Sequence, residues 1–134
     1  MLGRVLLSCL LTLIVWMTFD FFLHRFFLAP LYKQNANLWR PFDQMNVSLI
    51  YAVTLALVGI FVGTFLLLVE PKSLQAGLIF GLLVGLALGV SAGFGTYIHS
   101  PIPPALAWSW FFSGCLKGIL AGAIVGVLIH DSPS

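Results

Sequence analysis

Four stretches of the chain run apolar with scarcely a break, at about residues 5–28, 47–69, 75–98 and 105–129. Crossing a ~30 Å hydrocarbon core takes ~20 mostly apolar residues at a rise of ~1.5 Å each, and all four stretches are long enough. They lack the polar alternation of barrel strands, so each predicts a helix that satisfies its own backbone hydrogen bonds. The interruptions agree. Pro30 predicts the end of the first helix, and Asn35, Asn37, Pro41, Asp43 and Asn46 mark the longest loop. Glu70, Pro71, Lys72 and Ser73 make a tight turn between the second and third segments. Pro101, Pro103 and Pro104 separate the third from the fourth, with Pro104 suited to a first helical turn. Asp131 to Ser134 form a short polar end. The pattern predicts an all-α fold, an integral membrane four-helix up-down-up-down bundle. It forms one transmembrane domain over 1–134 with both termini on the same side.

Composition narrows the classes. Of 134 residues, 60% are hydrophobic and 7% charged, against about 45–50% and about 25% in soluble domains. Six Lys and Arg with four Asp and Glu cannot cover a water-facing surface. A soluble enzyme, a disordered tail and a secreted disulfide scaffold are excluded. The net charge of +2 is spread without a basic cluster, so no nucleic-acid partner is expected. Cys9 and Cys115 lie in apolar runs at different depths, which predicts two small buried thiols and no disulfide. Leu6, Leu7, Ser8 and Cys9 have the look of a lipoprotein cleavage box, yet the apolar run continues past Cys9. The N-terminus therefore reads as a retained anchor. Arg4, as the charged start of such an anchor, points the termini towards the cytoplasm.

In the long loop, Tyr32 and Trp39 interleave with Arg25 and Arg40. That mixture predicts an interfacial loop with aromatic rings and snorkelling cations at headgroup level, or else a docking segment for a partner.

The most specific signal is small-residue spacing. Gly77, Gly81, Gly85, Gly89 and Gly93 recur every fourth residue in the third segment, as do Gly114, Gly118, Gly122 and Gly126 in the fourth. Ala52, Ala56, Gly59 and Gly63 add a weaker row in the second. Lipid offers no hydrophobic drive between helices, so association rests on close backbone approach. Two grooves of this kind predict a tight packing of the third and fourth helices, crossing at about −40°. One ladder facing outward to another copy or subunit is the other reading.

Ionisable groups at membrane depth are costly and mark functional candidates. Lys117 falls near the middle of the fourth segment, and Asp20 lies late in the first with His24 one turn on. Lys117 reads either as a cation snorkelling to an interface or as a functional group looking into the bundle. Asp20 is its natural partner, although the topology separates the two by ~10 Å in depth. Ser91, Ser113, Tyr51 and Tyr97 are the polar residues available to bridge that gap. His24, His99, Asp20 and Met45 have to be assembled from three separate segments, without the HxxxH or CxxC spacing of metal sites, so no metal is expected. There is no nucleophile–base pairing and no phosphate-binding loop, which predicts neither an enzyme nor a cofactor.

Asp20, Tyr32, Gly81, Gly85, Pro103 and Trp108 together give a layout similar to small four-helix bacterial membrane families of unknown function. Those families share an acidic residue late in the first helix, a Tyr in the first loop, a glycine-rich third helix and a Pro-then-Trp entry to the fourth. The resemblance implies a bacterial inner (cytoplasmic) membrane protein and supplies no activity. The sequence thus predicts a non-enzymatic structural or accessory subunit that contacts lipids and other membrane subunits or itself. The alternative is a small homo-oligomeric transporter or channel with Asp20, His24 and Lys117 as its polar path.

Overall fold

The computed structural model describes residues 1–131, so the expected polar end beyond Asp131 lies outside the described residues. Among these the chain is all-helical, without a strand, and has four long apolar helices: Leu2–Phe27, Val47–Leu68, Leu74–His99 and Pro104–Leu128. We call them helices one to four. Each is long and apolar enough to cross a membrane. Large apolar side chains stay exposed on all four, among them Leu10, Ile60, Leu83 and Val127, which is compatible with lipid as their solvent.

Local chemistry sets the helix ends. Asn46 Oδ1 accepts from the Leu49 N–H at 3.0 Å and starts helix two; Ser73 Oγ accepts from the Ala76 N–H at 3.1 Å and starts helix three. Helix four opens on Pro104, whose missing N–H costs nothing in a first turn. Asp131 ties the end of the described chain to the turn before helix three. Its Oδ2 accepts from the Lys72 N–H at 2.7 Å, and its own N–H donates to the Lys72 carbonyl at 3.1 Å.

Two helices carry π turns. Helix one is α-helical over Leu2–Phe22 and widens over Leu23–Phe27; helix three is α-helical over Leu74–Gly89, widens over Val90–Gly95 and tightens again over Thr96–His99. Pro30 does not terminate helix one. It sits in the first turn of a further short helix, Ala29–Gln34, where a proline lacks nothing. The stretch expected to be plain loop thus holds this helix and two short 3₁₀ turns, Ala36–Leu38 and Phe42–Gln44.

Helices three and four are in backbone contact along the glycine rows. A methyl group on Gly77 would lie 2.8 Å from Gly126 Cα, one on Gly81 2.8 Å from Gly122 Cα, and one on Gly85 2.6 Å from the Gly114 oxygen. Further along, a methyl on Gly89 would lie 2.5 Å from the Phe111 oxygen and one on Gly93 3.2 Å from the Phe111 nitrogen. From the other side, methyl groups on Gly114, Gly118, Gly122 and Gly126 would meet Gly89, Gly85, Gly81 and Leu74 Cα atoms at 2.6–3.0 Å. No side chain larger than hydrogen fits at any of these positions. Ascending numbers on one helix meet descending numbers on the other, so the pair runs in opposite directions.

Contact at both ends of the rows differs from a simple −40° crossing. Straight helices at that angle would be offset sideways by about 8 Å within about eight residues of the crossing point. Rows of every fourth residue also drift by about 40° per step around an α-helix. To stay in register the two helices must wind around each other, right-handedly because the repeat exceeds 3.6 residues. The π turn at Val90–Gly95 winds less per residue than an α turn and takes back part of the drift, which keeps Gly93 facing helix four.

The row on helix two behaves differently. Gly59 and Gly63 have nothing within 4 Å of a built methyl group, and Ala52 and Ala56 are exposed. Helix two packs instead through Val58, Phe61, Val62 and Phe65, which join Trp16, Ala121, Val125 and Ile129 in the main core. A smaller core of Leu28, Ile102, Leu106 and Ala107 lies under the first loop. Cys9 and Cys115 are half-buried free thiols where buried ones were expected; Cys9 packs at the edge of the main core and the Cys115 backbone lies against Gly85.

Candidate functional site

Helix one brings three residues of one face, Trp16, Asp20 and His24, against helix four. The Trp16 indole N–H donates to the Lys117 carbonyl at 2.9 Å, and Lys117 Nζ donates to Asp20 Oδ2 at 2.6 Å. The ammonium also stands 5.2 Å from the centroid of the Trp16 ring, within range of its π face. The pair is largely sheltered, with the Lys117 side chain 20% and the Asp20 side chain 30% exposed.

Direct contact overturns the expected need for a polar bridge across a gap in depth. In a helix every Cα–Cβ bond leans towards the N-terminus. The Lys117 carbonyl stands at Trp16 and its ammonium at Asp20, one turn further along helix one, so the lysine side chain reaches along that helix to the carboxylate. The four-carbon stem of the lysine covers the rest. Ser91 and Ser113 line the cleft around the pair without mediating it, and Tyr51 and Tyr97 are exposed elsewhere.

The cleft has a volume of about 390 Å³. Asp20, His24 and Lys117 all line it, with Trp16 and Trp110 among its walls and Leu57 and Leu88 contributed by helices two and three. His24 lies in the π turn of helix one, and Ser91 and Ala92 lie in the π turn of helix three. Both widened turns therefore face the ion pair. Such turns recur at functional sites because they displace a side chain from the regular helical phase and loosen the hydrogen-bond ladder.

The first loop closes one end. His24 Nδ1 is 2.5 Å from the Tyr32 hydroxyl, and the Trp110 indole N–H donates to the same oxygen at 3.0 Å. The Tyr32 hydroxyl thus accepts from Trp110 and shares one further proton with His24 Nδ1, which ties the first loop to both helices. Trp39 packs edge-on to both Tyr32 and Trp110, at centroid distances of 5.3 and 5.9 Å. Tyr32 and Trp39 are thus half-buried in this cluster, while Arg25 and Arg40 are exposed. His99 lines neither the cleft nor this cluster, and no grouping of three metal-ligating side chains occurs among the described residues. The chain matches no family model, no curated protein and no solved structure. Its chemistry must be read from its own side chains.

Two contributions escape sequence reading. Trp16 stands beside Asp20 in the one-turn pattern, but that spacing does not disclose its bond to the Lys117 carbonyl. The π turns leave no signature beyond small residues at Ser91, Ala92 and Gly93.

Burial pushes the Tyr32 phenol above its ordinary 10.0, the Trp110 hydrogen bond draws it back, and the Asp20 charge adds to the rise. The folded chain therefore holds this proton more tightly than the unfolded chain does. Stability from this group is intact below pH about 10 and is lost as pH rises beyond it. Alkaline titration followed by phenolate absorbance is expected to show a late component that Tyr32→Phe removes. A late component that persists in Tyr32→Phe would assign it elsewhere.

Proposed function

We propose that the chain is an integral membrane protein, an up-down-up-down four-helix bundle with both termini on one side. In this reading it serves as an accessory subunit or helix-packing partner of a larger membrane assembly. The observation that carries the reading is the unused row on helix two. Ala52, Ala56, Gly59 and Gly63 form the kind of close-approach surface that helices three and four consume between themselves, yet among the described residues no other element packs against its glycines. Small side chains give lipid little to pack against, so this face favours another helix as its neighbour. The resemblance to small four-helix bacterial families supports a bacterial inner membrane as the location.

The test is co-purification in mild detergent. The wild-type chain is expected to migrate with a partner subunit or a second copy. Gly59→Leu is expected to fold normally and to migrate alone. A wild-type chain that runs as a lone monomer removes the accessory reading.

A second reading, a homo-oligomeric transporter or channel, is favoured by the convergence of Asp20, His24 and Lys117 on one cleft. Intact assembly with loss of a solute or proton flux in Lys117→Met would support it over the first.

A further inference from the structure

The ion-pair cleft does not end at its polar residues. Trp16, Leu57 and Leu88 also line an adjoining apolar pocket of about 120 Å³, whose other walls include Ile60, Phe80 and Val84. The cleft that holds the ion pair therefore adjoins an apolar pocket between helices two and three. The polar part falls in the roughly 300–1,000 Å³ range of small-molecule sites, apolar-walled with a few converging polar groups. That shape fits an amphiphile with its head beside Lys117 and its tail against Phe80.

The chemistry of the head follows from what is already satisfied. Asp20 and Lys117 cancel each other's charge, so an anion must compete with Asp20 and a cation with Lys117. A neutral head competes with neither. The lysine ammonium has three N–H donors and gives one to Asp20. Neither Ser91 nor Ser113, which line the cleft, has a side-chain hydrogen bond among the described residues. The two ammonium N–H groups left over can each donate to an acceptor oxygen, and one that brings no charge leaves the ion pair in place. The half-buried Trp110 ring offers a flat wall to a planar partner.

From this we propose that the cleft binds a neutral, planar, carbonyl-bearing lipid of the quinone class. Its ring oxygens accept from Lys117 and the neighbouring donors, and its apolar tail lies between helices two and three. The site rests on the membrane reading above, since its ligand arrives through the bilayer.

The experiment uses the full chain in lipid nanodiscs. The probes are menadione (2-methyl-1,4-naphthoquinone) and 2-methylnaphthalene, which keeps the rings and lacks the carbonyls. Menadione is expected to raise the unfolding midpoint saturably, as any ligand that binds only the folded state does, and 2-methylnaphthalene is not. The charge-neutral double variant Asp20→Asn with Lys117→Met is expected to bind menadione about tenfold more weakly or worse. Ser113→Ala, which leaves the ion pair in place, is expected to weaken it by a smaller factor. Equal shifts with both probes would overturn the proposal, as would a shift unchanged in the double variant and in Ser113→Ala. A midpoint that responds to added anionic phospholipid and not to menadione would assign the cleft to a headgroup and overturn it too. A chain that fails to enter the nanodisc removes the membrane reading and this site together, whereas an inserted chain without any shift removes the site alone.

Discussion

Gly81→Val is expected to be among the most damaging single substitutions in this protein. A Cβ there would run into the Gly118 carbonyl and stand 2.8 Å from Gly122 Cα. Both are backbone atoms, so no flexible side chain can move aside. Overpacking a well-filled interior costs typically about 1–3 kcal/mol and occasionally more, and a site walled by backbone belongs at the upper end or beyond. Helices three and four would have to separate along much of their shared length, which would also loosen Ser91 and Ser113 around the cleft. Gly59→Val is the matched control: nothing stands within 4 Å of a Cβ built there. It is expected to leave stability within about 0.5 kcal/mol or to improve it, because glycine is a poor helix former. Reversible unfolding in mixed micelles measures both, and similar losses in the two variants would refute the packing described here.

The second large effect is expected at the ion pair. Lys117→Met leaves the Asp20 carboxylate without its cation in a sheltered site. Breaking a fully buried pair from one side costs about 3–5 kcal/mol. With the two side chains 20% and 30% exposed, the loss here should fall below that range but remain easily measured. Adding Asp20→Asn removes the stranded charge and should restore much of the stability, since a neutral pair of similar shape has no desolvation debt. The coupling between the two sites in a double-mutant cycle is the quantity to read. Strict additivity would show that the two groups act independently.

These two sites differ in how far the sequence discloses them. The four helices are legible because a continuous apolar run of more than about twenty residues leaves the backbone no other way to satisfy itself. The glycine rows are legible as surfaces for the same kind of reason: every fourth residue shares a helical face, and a bare face has an obvious use. Which rows are used is not legible. The row on helix two looks much like the others, yet Phe61 and Phe65, on a different face, carry its packing against Phe80. Asp20 was legible as the partner of Lys117, but the directness of their contact was hidden by arithmetic on Cα depths, which ignores the lean of Cβ along a helix and the reach of a lysine stem. The π turns were hidden because one extra residue per turn leaves hydropathy unchanged. Tyr32 reads as an interfacial residue from its neighbours Lys33 and Arg25. Its bonds with His24 and Trp110 depend on how Ala29–Gln34 folds back, which a run of six residues does not announce.

Close backbone contact between helices three and four holds the account together, since it positions both Lys117 and the π turn that faces it. The direct measurement is solid-state NMR in bilayers on protein carrying ¹³C at the glycine Cα and carbonyl positions. Through-space cross-peaks are expected between Gly81 and Gly118, between Gly77 and Gly122, and between Gly85 and Gly114. Helical shifts for all of these glycines with none of those cross-peaks would mean that the two helices stand apart, and the account would be wrong.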